Sequence, residues 1–273
     1  MTQYLETDFG GDVPLKMDYQ SPEGNILLKE AWVLNAPYPY GLSPDYKTPH
    51  HLESPSKSHW LGTNDIGQDI LVYALHAAVL SSLTSLILTY LCLWSGSLLG
   101  VVAGLYGGSV DITIMWLKEL CRSVPFAFLV ILIPKHSFGL FMVLFTCTQW
   151  TKYAQLCRNK TYELCHQPFM LDASHNKMPL WQRYCQHILP HLSPLCRSQI
   201  SYTWMNYLAM IESLAYFDIR MYPDLPSLGF LIQQSKMHPQ AIWMMTACAI
   251  GFGMVGCFAL YFSRQKEKDI PVP

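Results

Sequence analysis

Residues 70–110 read ILVYALHAAVLSSLTSLILTYLCLWSGSLLGVVAGLYGGSV, 41 residues without a single Lys, Arg, Asp or Glu. A helix that crosses the hydrocarbon core of a bilayer needs about 20 apolar residues. Ser81 to Val102 supplies them inside this run. A core helix of a soluble protein is the competing reading, but a charge-free run of this length is too long for one. The run assigns the chain to the membrane.

The rest of the composition agrees. Charged residues make up 14% of the 273, against about 25% in an ordinary soluble domain. Eighteen Lys+Arg against nineteen Asp+Glu leave a net charge of −1. That balance excludes a nucleic-acid binder held by bulk positive charge and a charge-rich disordered chain. Mean hydropathy is only +0.17, so the apolar residues must be concentrated. The first 69 residues are indeed polar, and Pro14, Pro22, Pro37, Pro39, Pro44, Pro49 and Pro55 break any period there.

After 81–102 the turn signal Gly104-Leu105-Tyr106-Gly107-Gly108-Ser109 leads to further apolar stretches at 112–133, 138–153, 200–217 and 241–262. The expectation is an all-α polytopic membrane protein with about five transmembrane helices. A polar extracytoplasmic segment 1–72 precedes a transmembrane domain 73–263, and a cytoplasmic tail 264–273 follows. Lys118, Glu119 and Arg122 fall within the second stretch and are expected to face other helices or headgroups. Arg158, Lys160, Lys177, Arg183 and Arg197 crowd the 158–197 loop, and Arg264, Lys266 and Lys268 the tail. The positive-inside bias therefore makes both cytoplasmic. Residues 1–69 then fall outside with no signal peptide ahead of them, so either the first span carries them across or, the favoured expectation, a helix upstream of Met1 is missing.

All nine cysteines lie beyond residue 91, read as small apolar residues and free thiols. Cys157, Cys165, His166, His175, Cys185, His187 and His191 fit no compact zinc spacing, so neither metal nor cofactor is expected. No nucleophile–base set and no phosphate-binding loop stands out. Trp60, Trp150 and Trp243 lie near span ends, read equally as an interfacial belt or as core.

Several stretches resemble the permease subunits of bacterial dipeptide/oligopeptide ABC importers. His59 to Asp69, with Gly62, Thr63, Asp65, Gly67 and Asp69, resembles an outer "lGTDxxGRD" motif, and Gly104 to Gly108 resembles the "GYYGG" turn that follows it. Arg158 stands at an arginine position of the coupling region. His187-Ile188-Leu189-Pro190 is similar to "HxLPN", and Pro226-Ser227-Leu228-Gly229 to "PSLG". Glu6 to Gly11, Asp18 to Gln20 and Trp32 to Leu34 bring the chain closest to microcin C-type peptide permeases.

The resemblance implies a type I ABC-importer permease fold in the bacterial inner membrane. It implies a second homologous permease, ABC ATPase subunits and an extracytoplasmic peptide-binding protein as partners, with ATP hydrolysed by the partner. It also marks departures. The family's E-A-A-x-x-x-G coupling loop reads Leu171, Asp172, Ala173 and Lys177 here, followed by Leu189 and Pro190. Asn64 and Gln68 stand for Asp and Arg, removing a charge pair, and Phe217-Asp218-Ile219-Arg220 stands for "LGFG". A degenerate, non-transporting scaffold is therefore the alternative function. Glu212, the one acid in its span, is either a translocation-pathway residue or a residue near the outer end that reaches water.

Overall fold

The computed structural model describes residues 52–57, 59–131, 137–170, 178–219 and 225–268, all within the compact unit Gly41–Pro273. Among them there is no strand, only an isolated bridge between Thr63 and Asp69. Helix α1 is Ile70–Tyr106, opened by the Asp69 carboxylate, which accepts from the Val72 N–H at 3.1 Å. Its 37 residues make a rod about 55 Å long, so the expected span 81–102 is only its middle. Gly107 and Gly108, at φ +61° and +52°, end it with a backbone turn that side-chain-bearing residues resist.

Three expected stretches differ in detail. The 112–133 stretch is split into α2 (Gly108–Ser123) and α3 (Phe126–Ile131), because Pro125 forces Val124 into extended backbone. The 138–153 stretch is α4 (Phe138–Gln149) running through Trp150 into α5 (Thr151–Cys165). The basic 158–197 region is largely helical where described: α5, then α6 (Leu180–Arg183), a π-helical turn Tyr184–Ile188, and the start of α7 (Leu189–Tyr216). The π turn sits just ahead of Pro190, which has no N–H to continue a regular ladder. Pro194 inside α7 withholds its bond from the Pro190 carbonyl, and the Ser193 hydroxyl donates there instead at 3.3 Å. A short α8 (Leu228–Met237) and the long α9 (Ile242–Lys268) complete the chain.

Helix α1 is the spine. It packs most extensively on α5, then on α7, and α8 bridges α7 and α9. Four core clusters follow one another along it: Ile70 and Tyr73 with Leu231, Met244 and Ala247; Ala74, Ala77 and Ala78 with Trp204 and Leu208; Leu88 and Cys92 with Phe145 and Tyr207; and Val101 with Cys157 and Ile188. In the third, the Phe145 and Tyr207 rings meet edge to face at 4.8 Å. Among the described residues two helical stretches, Ile70–Tyr106 and Ile242–Tyr261, are long and apolar enough to cross a membrane. Their outward faces are apolar too, with Val79, Leu83, Trp94, Met254 and Phe258 exposed, a surface suited to lipid rather than water.

Candidate functional site

The outer motif folds into a knot at the start of α1. Thr63 is fully buried; its Oγ1 accepts from the Glu53 N–H at 2.9 Å, and its own N–H donates to the Glu53 carbonyl at 3.0 Å. Gly62 lies at φ +74°, and a Cβ there would fall on the Glu53 carbonyl and the Trp243 ring. Gly67 lies at φ +80°. Asp69 caps α1 with one oxygen and meets His59 Nδ1 with the other at 2.8 Å. Asp65 accepts from Gln234 Nε2 on α8 at 2.6 Å.

Asn64 and Gln68 form a neutral pair of their own. Asn64 Nδ2 donates to Gln68 Oε1 at 2.9 Å, and Asn64 Oδ1 accepts from the Ile66 and Gln68 N–H groups at 3.1 and 2.8 Å. Where the resemblance implies a charge pair, the same two positions here are joined by an amide–amide bond. At Asp218 the backbone likewise holds a glycine-like shape, with φ +62°. Its N–H donates to the Ala215 carbonyl at 3.1 Å and that of Ile219 to Leu214 at 3.0 Å, the hydrogen-bond pattern of a Schellman helix end.

Glu212 lies on α7 with 2% of its surface exposed. Ser81 Oγ on α1 donates to Oε1, and the Gly229 N–H in the first turn of α8 donates to Oε2 at 2.6 Å. Helices 131 residues apart in sequence thus meet on one carboxylate. Gly229 is demanded by close approach, since a Cβ there would overlap the Glu212 carbonyl.

At the opposite end, Leu189 and Pro190 are exposed at the start of α7, while Leu171, Asp172, Ala173 and Lys177 lie outside the described residues. Arg158 forms a forked ion pair with Asp111 at the start of α2. The guanidinium holds the Asp111 carboxyl below the usual carboxylate range. Lys118, expected to face another helix or the headgroups, is buried and donates to Gln155 Oε1 at 2.6 Å, whereas Glu119 and Arg122 are exposed. Beneath this end Cys157 and Cys196 bring their sulfurs to 3.7 Å. The Phe169 ring lies 5.7 and 5.8 Å from those of His187 and His191. Among the described residues no three potential ligands converge as a metal group would need. Of the tryptophans expected near span ends, Trp60 is exposed, Trp150 is buried, and Trp243 donates to the Thr63 carbonyl at 3.4 Å.

The sequence reading missed one feature with a legible signal. Gly96, Gly100 and Gly104, four residues apart, form a stripe along α1, and a Cβ on any of them would strike α5 or its N-cap: Trp150 and Ala154, Ala154, and Thr161 respectively. Such small-x-x-x-small spacing allows helix backbones to touch in a membrane, where no hydrophobic effect drives association. The partnerships of Ser81 and Gln234 had no such signal.

Residues 96–265, from the middle of α1 nearly to the end of α9, match the family described as the binding-protein-dependent transport system inner membrane component. The chain is 28% identical over 255 residues, 89% of its length and 73% of the relative's, to the inner membrane ABC transporter permease protein YejE of Escherichia coli (strain K12). It is 30% identical over 154 residues to the oligopeptide transport system permease protein OppC of Bacillus subtilis (strain 168), covering 54% of this chain and 50% of that one. With the peptidoglycan transport system permease protein YejE of Agrobacterium fabrum (strain C58 / ATCC 33970) identity is 24% over 246 residues, 85% of this chain and 62% of the relative. The helical architecture, the lipid-suited outer faces and the match over more than half its length agree: the chain belongs to the family of binding-protein-dependent transport system inner membrane components.

Proposed function

We propose that this chain is a permease subunit of an ABC-type importer for peptides. It forms the translocation pathway with a second homologous permease, is driven by separate ATPase subunits and receives its cargo from an extracytoplasmic binding protein. The observation that carries the reading is the family match over residues 96–265, joined to relatives whose names specify oligopeptide and dipeptide transport. In this reading residues 81–102, 112–133, 138–153, 200–217 and 241–262 lie across the membrane. The 158–197 region and the C-terminal tail are cytoplasmic, and the knot at 52–69 and the 225–241 segment face outward.

The fold supplies a mechanical route for that chemistry. ATP-driven closure of the ATPases pushes on the region around Leu171 to Pro190. Helix α5, fastened to α1 by the glycine stripe and to α2 by Arg158–Asp111, carries the push into the bundle as a rigid-body motion. The outer knot joins α1, α8 and α9 through Asp65 and Trp243, so the outward face moves with the same spine.

The test is co-purification of the tagged chain with its ATPase, comparing wild type, Lys177→Gly and a deletion of residues 165–180, alongside uptake of a labelled peptide by proteoliposomes. ATPase retained by wild type and lost on deletion, with ATP-dependent uptake, is the expected result. Recovery of ATPase only with Lys177→Gly means that the coupling interface has decayed at that residue. No ATPase with either form overturns the transport reading in favour of a non-transporting scaffold.

A further inference from the structure

Helix α8 is a short element between two long ones, and its attachment is unusually polar. At its start the Gly229 N–H donates to Glu212 at 2.6 Å, and the Ser227 N–H donates to the Tyr73 hydroxyl at 3.3 Å. Further along, Gln234 Nε2 donates to Asp65 at 2.6 Å. Glu212 is the centre of this attachment, because Ser81 on α1 donates to its other oxygen. A cavity of about 60 Å³ lies alongside, lined by Ser81, Thr84, Phe141, Ile219 and Ser227 among others. Glu212 is not part of that lining; it sits behind Ser81.

A pathway acid that meets a passing cation has to present its carboxylate to a cavity. Glu212 does the opposite, giving each oxygen to a donor of its own chain. We infer that Glu212 is a positioning residue: its carboxyl clamps the first turn of α8 to α1 and α7, so that the outward segment 225–241 and these two helices move as one body. Resting on the importer reading, the inference gives the clamp a consequence. A binding protein pressing on segment 225–241 is felt at α1 and α7 only while the clamp is closed.

The geometry separates this role from a role for charge. Glutamine at 212 can point its oxygen at the Gly229 N–H and its amide at Ser81, whose hydroxyl accepts as readily as it donates. Both bonds survive and only the charge is lost. Alanine leaves a buried N–H and a buried hydroxyl without that partner. A residue that works by charge fails equally in both variants.

The experiment uses the assembled importer in lipid nanodiscs, with both permeases, the ATPases and the binding protein. It reads amide hydrogen exchange over 225–237 and the stimulation of ATPase activity by loaded binding protein. Glu212→Gln is expected to match wild type within about twofold in both, while Glu212→Ala speeds exchange of the first turn of α8 by about tenfold or more and cuts stimulation by a similar factor. Gly229→Ala, which pushes α8 off α7 without touching the carboxyl, is expected to follow Glu212→Ala. The inference is overturned if Glu212→Gln is as severe as Glu212→Ala in an assembled complex, or if Glu212→Ala changes neither readout. Should Glu212→Ala fail to assemble, Glu212→Gln decides: wild-type behaviour supports the clamp, and loss of stimulation with normal assembly rejects it. A wild type showing no stimulation would count against the importer reading, while the exchange comparison would still decide the clamp.

Discussion

The two ends of the bundle are held together by different means. At the end that holds the 52–69 knot, side chains do the fastening: Thr63, Asn64, Asp65, Asp69, Glu212 and Gln234 are buried or partly buried polar groups whose bonds tie a left-handed turn, α1, α7 and α8 together. At the opposite end, backbones touch across Gly96, Gly100 and Gly104, and side chains add the Arg158–Asp111 ion pair, the Lys118–Gln155 bond and the Cys157–Cys196 contact. Hydrogen bonds fix direction and register but tolerate a change of partner, as the neutral Asn64–Gln68 pair shows. A glycine seam tolerates nothing larger. The knot thus holds a neutral amide pair where the seam leaves no room for a side chain.

The largest effect should come from the seam. Gly100→Leu drives a side chain into the Ala154 carbonyl; overpacking of this kind costs about 3 kcal/mol or more. Thermal unfolding of the detergent-solubilised protein should show it, and a midpoint unchanged from wild type would mean that α1 and α5 are not in backbone contact. Gly62→Ala should cost about 2 kcal/mol, combining the left-handed penalty with crowding by Glu53 and Trp243. Its damage should stay local: faster exchange over residues 59–69, with ATPase co-purification intact. Global loss of assembly would make the knot as unforgiving as the seam.

The Arg158–Asp111 pair tests how much the seam end depends on charge. Arg158→Ala should cost about 1 kcal/mol, the upper end for partly exposed pairs. Because Asp111 titrates below its ordinary value in the folded state, the unfolded chain takes up its proton first. The contribution is therefore complete above the ordinary carboxylate pKa of about 4 and fades as pH falls through the lowered value. Wild type should lose this increment on acidification and Arg158→Ala should not; parallel pH profiles would sink the assignment.

A smaller gain is expected from Asp218→Gly, which relieves a left-handed aspartate and should stabilise by up to about 1 kcal/mol, read as a rise in the unfolding midpoint. Smallest is the outer amide pair. Asn64→Asp alone should cost about 0.5 kcal/mol, because the Gln68 side-chain amide must turn over to offer its NH2 to the new carboxylate, and Gln68→Arg added to it should restore most of that. A double-mutant cycle with no coupling would show that the two positions act independently.

Much of the fold is legible in the sequence because its signals are local. The charge-free run, the glycine pair at 107–108 and the prolines at 125 and 190 each act on the few residues beside them. The expected 112–133 span breaks at Pro125 for a reason visible in the sequence, although apolar content alone runs straight through it. The coupling residues Leu171, Asp172, Ala173 and Lys177 remain matters of resemblance. Reading Asn64 and Gln68 as a lost charge pair missed what replaced it, because an amide pair carries no charge pattern to notice.

By itself the sequence determined the solvent and the helical class, since length and polarity act through the chain's immediate neighbourhood, whereas the helix ends differ from those expected along 70–106, 112–133 and 158–197. Only the tertiary structure decided which groups Glu212 bonds. Its partners Ser81 and Gly229 lie 131 residues before it and 17 after it. A hydrogen bond depends on a few ångströms of separation, which packing sets and sequence distance does not.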